Sequence, residues 1–156
     1  MNERNATSII VTVGQGNASI TAGKETVVTA GGLSIFVFGS NSAGIHGGGA
    51  AAYACKSLGA EWGVGEGPTG QCYALPTKDR RIQSRSLEDV KDSVDRFISY
   101  ATDHPELTFQ VTRIGCGLAG FTDEEVAPMF IDSPDNCEFD SAWQQWLPTK
   151  KVWGTF

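Results

Sequence analysis

Two glycine strings are the stretches of this chain best suited to chemistry. The first is "GSNSAGIHGGG" (39–49) and the second is "GCGLAG" (115–120). Each follows a strand-like apolar run and precedes a helical one. A glycine loop in that setting offers unpaired backbone N–H groups at the positive end of a helix, which suits phosphate and needs no lysine. Either loop taken alone also reads as a tight turn with no ligand. A third string, Gly65 to Gly70, repeats the G-x-G-x-x-G spacing but contains Pro68 and precedes a strand, so it is no strand-to-helix phosphate turn.

The side chains around these loops have two readings each. Asn41 carries an amide able to orient a sugar hydroxyl or a water. His46 is either a ligand contact with acid–base capacity or a brace for its loop. Glu66, in "GEG", is a hydrogen-bond acceptor for a ribose, a base, or a solvated carboxylate. Cys116 lies between two glycines, either as a thiol activated at a helix start or as a residue small enough for the turn. Phe121 either stacks on a ligand or joins the core. Lys78 follows a strand, beside Arg80 and Arg81. It is a nucleophile or phosphate anchor, or else a solvated lysine.

The elements that must position these residues alternate. Leu33 to Phe38 is a nearly continuous apolar run, as in a buried parallel strand. After the first loop, "AAAYACKSL" predicts a short helix, and Gln71 to Leu75 a strand ended by Pro76. Ser86 and Asp89 form a capping box for a helix whose apolar face is Leu87, Val90, Val94, Phe97, Ile98 and Ala101, closed by Pro105. Leu107 to Ile114 is a strand. Thr122 and Glu125 cap a further helix that buries Val126, Met129 and Phe130. Both loops are then expected at one edge of the sheet, where ligands of open α/β folds bind. Only 36 residues follow Gly120 and none reads as a central parallel strand, which argues against a dinucleotide oxidoreductase. Residues 1–32 read as a β-rich extension and 33–156 as one domain, with Trp143, Trp146 and Trp153 docking the tail.

Charge narrows the partners. Twelve Lys+Arg against eighteen Asp+Glu give a net charge of −6, unsuited to a nucleic-acid backbone. No run is apolar enough for a membrane span, and no leader pattern opens the chain. Four scattered cysteines and two histidines predict a reduced, cytoplasmic protein with no metal site and no cofactor. Glycine is abundant, at 19 residues, and fifteen of these lie between Gly14 and Gly70.

The pair of loops resembles the macro domain, an ADP-ribose-binding α/β/α family. The match runs through Asn41 and Gly47-Gly48-Gly49 before a helix, and through "IGCGLAGF" (114–121) after a late strand. The "IGCGL" run and Thr77-Lys78 are similar to terminal ADP-ribose protein glycohydrolase. The stretch as a whole resembles an uncharacterised bacterial and phage macro-like group. The resemblance covers roughly residues 33–130 and implies a three-layer fold with a mixed, mostly parallel sheet. It implies that Gly39, Ser40, Asn41 and Gly47 to Gly49 form one cleft wall, and that Gly115, Cys116, Gly117, Leu118, Ala119, Gly120 and Phe121 hold a diphosphate, with Glu66 near a ribose. Hydrolysis of an ADP-ribosyl linkage would then use Lys78, His46 or Asp123. Ala119 stands where that enzyme has a catalytic aspartate, and Ser40 to Ser42 stand where macro domains commonly hold adenine with an aspartate. The alternative is a non-catalytic binder that sequesters or reads a NAD-derived signalling nucleotide, for example in phage counter-defence. The expected partner is a small nucleotide, with self-association through the N-terminal β extension.

Overall fold

The computed structural model describes residues 33–156, together with the backbone of two short strands, β1 (Ile20–Thr21) and β2 (Lys24–Glu25). These two pair antiparallel, Ile20 opposite Glu25 and Thr21 opposite Lys24. The expected strand at Ser8 to Val13, and most of the 1–32 extension, lie outside the described residues.

The body is an α/β fold on a six-stranded sheet. Its strands are β3 (Leu33–Asn41), β4 (Gly67–Thr69), β5 (Cys72–Lys78), β6 (Leu107–Val111), β7 (Cys137–Asp140) and β8 (Lys151–Gly154). Their order is β4-β5-β3-β6-β7-β8, parallel throughout except for β4. Alternation along the central strand explains the layering. Leu33, Ile35 and Val37 of β3 join Tyr73 and Leu75 of β5 in one core, while Phe36 and Phe38 join Cys72 and Ala74 in the other. A strand buried on both faces must be apolar at nearly every position, as β3 is from Ile35 to Phe38.

Helix α1 (Gly49–Ser57) covers the second face through Ala51 and Ala54. On the first face lie α2 (Leu87–Asp103), the one-turn α3 (Asp123–Val126) and the 3-10 turn Ala127–Phe130. Helix α2 buries Val90, Val94, Phe97 and Ala101, a 3.6-residue stripe, and Ser86 accepts the Asp89 N–H as its cap. Trp143 is fully buried, and the Trp153 indole N–H donates to the Val111 carbonyl at 3.0 Å.

Three expectations change. Pro76 does not end its strand, for β5 runs on to Lys78 with Pro76 opposite Ser40. Strand β4 stops opposite Ala74, so beyond it the missing N–H of Pro76 falls on an unpaired edge. Gly67–Thr69 is itself a strand, folded back on β5 through Gly70 at φ +57°. Most consequential, parallel strands do follow Gly120. Cys137–Asp140 is only four residues long and carries two carboxylates, so no apolar run announces it; pairing on both sides makes it a strand.

Candidate ligand-binding cleft

The carboxyl ends of β5, β3, β6 and β7 open into one cleft of about 520 Å³. Gly39, Ser40 and Asn41 enter its floor from the end of β3, so they belong to a strand and not to the loop expected of them. Gly47 to Gly49 form one wall. Gly115 to Ala119 form the opposite wall, and Lys78 stands at the end of β5. The walls nearly meet, since a Cβ on Gly48 would lie 3.5 Å from the Leu118 side chain.

Local bonding shapes each wall. Asn41 Nδ2 donates to the Ile45 carbonyl at 2.7 Å, and its Oδ1 accepts the Ile45 N–H at 3.0 Å. Its amide therefore fixes the turn out of β3, leaving one N–H hydrogen and one lone pair. Ser40 donates to the Gly65 carbonyl. In the second wall, Gly115 sits at φ +77°, where a Cβ would lie 2.9 Å from the Phe121 ring. This glycine is required by the fold. Gly47 and Gly117 are different: neither has a left-handed φ, and a Cβ on either would meet nothing within 4 Å. Nothing among the described residues demands glycine there.

The donors converge on the same space. Helix α1 begins with Gly48 as N-cap and no side-chain cap, whereas α2 and α3 are capped by Ser86 and Thr122. The first N–H groups of α1 have no partner among the described residues, nor do those of Gly115, Gly117, Leu118 and Ala119. A helix start left open in this way carries partial positive charge toward whatever occupies the cleft. An open helix start is expected after each loop, but the one after the second loop does not form. There α3 is a single turn, and its donors are taken by the box of Thr122 and Glu125. The uncapped start lies across the cleft instead.

Several expected residues stand elsewhere. His46 is buried; its Nε2 lies 3.0 Å from the Glu61 carbonyl, and its ring packs edge-on to Phe38 and against Trp62. It braces the loop from beneath and does not line the cleft. Glu66 is held by Arg96 of α2 at 2.6 Å, away from the cleft lining. Asp123 also stands outside, bound by both arms of Arg113 at 2.9 and 2.7 Å and by the Trp143 indole N–H at 2.7 Å. The Arg113 guanidinium holds the Asp123 carboxyl below its usual range, with help from Trp143 and Cys116. Phe121 packs on the core against Gly115, and Gly120 closes the turn; neither lines the cleft. Burial, then the neighbouring Asp123 carboxylate, pushes the Cys116 thiol up to about 12, so no activated thiolate forms there.

Other lining residues had weak or no sequence signals. Thr77 and Thr112 end β5 and follow β6, where a ligand of a parallel sheet is met; strand position alone points to them. Arg113 contributes a guanidinium already engaged by Asp123. Lys78 has no acidic partner among the described residues. Asp140 and Phe156 meet at the β7 end. The buried Asp140 carboxylate accepts the Ala142 N–H, the Thr155 hydroxyl and the Phe156 N–H, and the Phe156 ring leans on Phe36 and Tyr53. Thus the pattern of strand, G-x-G-x-x-G, helix and acid-ended strand does exist here, but the acid is spent on its own chain.

At the β5 end the wall is a tight hairpin. Lys78 and Ser84 pair across it, and Asp79 Oδ1 accepts the N–H groups of Arg81 and Gln83 at 2.8 and 3.0 Å. These bonds, Gln83 first, hold the Asp79 carboxyl below its usual range. Ile82 lies at φ +63°, a conformation that costs a β-branched residue about 1–2 kcal/mol.

No family model matches the sequence, and no curated protein matches it. Two solved structures are similar. Thermosipho africanus DarTG in complex with ADP-ribose is 15% identical over 77% of this chain, with a TM-score of 0.45. A protein of unknown function from Bacteroides thetaiotaomicron is 16% identical over 83% of this chain and 93% of its own, with a TM-score of 0.47. This chain spans 36% of the DarTG chain, about a third of its length.

Proposed function

We propose that the cleft binds ADP-ribose or a related NAD-derived nucleotide. The diphosphate lies between the two walls, on the open N–H groups of Gly115, Gly117, Leu118 and Ala119 and on the uncapped start of α1. The observation that carries this reading is the convergence of unpartnered backbone donors from two separate loops on one cleft. Gly47 and Gly117, which the fold does not require, lie where a phosphate would approach the backbone. A net charge of −6 does not oppose it, because amides do the binding.

Non-catalytic binding is the primary reading. His46 and Asp123 lie outside the cleft lining, and Ala119 offers no carboxylate there. A second reading, hydrolysis of an ADP-ribosyl linkage, rests on Lys78, which stands in the lining without an acidic partner among the described residues. Calorimetry with ADP-ribose at micromolar protein tests the first reading, and absence of heat with ADP-ribose and with ADP refutes it. Incubation with an ADP-ribosylated glutamate peptide tests the second: release that is lost in Lys78→Ala supports hydrolysis, and binding without release leaves the binder. Sequestration of a signalling nucleotide would follow from tight binding without turnover.

A further inference from the structure

The mouth of the cleft is apolar, which a diphosphate site does not need. Nine large apolar side chains are exposed among the described residues, and Ile45, Ile82, Leu118 and Phe156 all line this one cleft. Leu118 is 80% exposed. Concentration of exposed apolar surface in one place marks a contact surface, whereas scattered residues do not.

Two of the four, Ile45 and Leu118, are tied into a ring, and Ile82 sits in the Lys78–Ser84 hairpin through which that ring passes. Asn41 holds Ile45 by both its N–H and its carbonyl, and Asn41 pairs across the sheet with Lys78. Lys78 pairs with Ser84, whose hydroxyl donates to the Ala119 carbonyl at 2.6 Å, next to Leu118. Leu118 in turn reaches Gly48, three residues beyond Ile45. Three aliphatic side chains from three segments are thus arranged about Lys78 at the β5 end, opposite the Asp140 and Phe156 end. Ile82 is held there although glycine would relieve the backbone at φ +63°. Strain retained in an exposed residue points to a use for its side chain.

We propose that Ile45, Ile82 and Leu118 form an aliphatic collar for an uncharged, apolar-faced group on the distal sugar of the nucleotide. The preferred ligand is then an ADP-ribosyl conjugate over ADP-ribose itself. This rests on the reading that the cleft takes an ADP-ribosyl nucleotide. The three side chains themselves offer no hydrogen-bond partner to a free sugar hydroxyl, and the Lys78 ammonium among them disfavours a cationic group. A flat, neutral ring gains contact with all three side chains.

The test compares NADH with ADP-ribose by calorimetry on the full chain. NADH carries a neutral ring on its distal sugar and is otherwise similar. The expected result is that NADH binds at least about tenfold more tightly. That ratio falls toward one in both Ile82→Gly and Leu118→Ala. Ile82→Gly does not lower the melting temperature, because it releases the left-handed strain. If ADP-ribose binds and NADH binds no better, the collar is wrong and the cleft reading stands. A preference unmoved by both substitutions overturns the collar as well. Failure of both nucleotides to bind overturns the cleft reading and the collar with it.

Discussion

Gly115 and Gly117 lie two residues apart in one loop, and alanine at each should do opposite things. At Gly117 the backbone tolerates an L residue and a Cβ meets nothing within 4 Å, so it enters the open cleft. Replacing glycine where the conformation is already permitted removes unfolded-state entropy and stabilises by about 0.4–1 kcal/mol. For a chain of this size that raises Tm by about 1–4 °C. The same methyl occupies the space in which the diphosphate contacts the amides, so ADP-ribose affinity falls at least about tenfold, or 1.4 kcal/mol. At Gly115, φ is +77° and the Cβ would lie 2.9 Å from Phe121 and 3.3 Å from Thr77. Left-handed strain of about 1–2 kcal/mol adds to the overpacking, for a loss of about 2–4 kcal/mol and a Tm lower by about 4–15 °C. Thermal unfolding and calorimetry on the two variants provide the assay. A Gly117→Ala protein that is less stable than wild type, or that binds ADP-ribose equally well, refutes the claim that this glycine is kept for the ligand.

Three further outcomes are expected. Asp123 titrates lower when folded than unfolded, so its pairing stabilises fully above the ordinary carboxyl value of 3.8 and is lost as pH falls through the lowered value. Asp123→Asn should flatten acid unfolding below about pH 4, whereas Asp123→Ala also orphans the buried Trp143 N–H and costs about 2–3 kcal/mol at pH 7. Cys116, with its thiol pushed up to about 12, should alkylate at pH 8 far more slowly than a peptide thiol, by roughly a hundredfold or more, as read by peptide mass mapping. Rapid labelling would contradict its burial beside Asp123. Asp140→Ala removes the acceptor for three donors, should cost about 2–4 kcal/mol in urea unfolding, and should free Phe156 from its seat on Tyr53.

Legibility in the sequence followed the range of the interactions. Helix α2 was readable from its spacing and its Ser86 cap because both act within a few residues. Strand β3 was readable because burial on two faces forces a nearly continuous apolar run. The same rule hid β7, which is held between β6 and β8 while showing only Cys137 and Phe139 as apolar residues. In the cleft, the glycine walls were visible as strings, and Lys78 as a strand end. His46, Glu66 and Asp123 were legible as polar residues near those strings, but their partners (Glu61, Arg96 and Arg113) come from elsewhere in the fold.

Read alone, the chain determined an alternating α/β architecture, two amide-rich glycine loops at one sheet edge and an acidic net charge. These are properties of composition and of neighbours within a turn or a strand. Tertiary structure alone decided which glycines the backbone needs and which face open space. It also decided that the open helix start belongs to α1 and not to α3, and which polar side chains reach the cleft. The physical reason is competition: each donor, carboxylate and imidazole binds the nearest suitable partner in space, and only the folded chain fixes which partner that is.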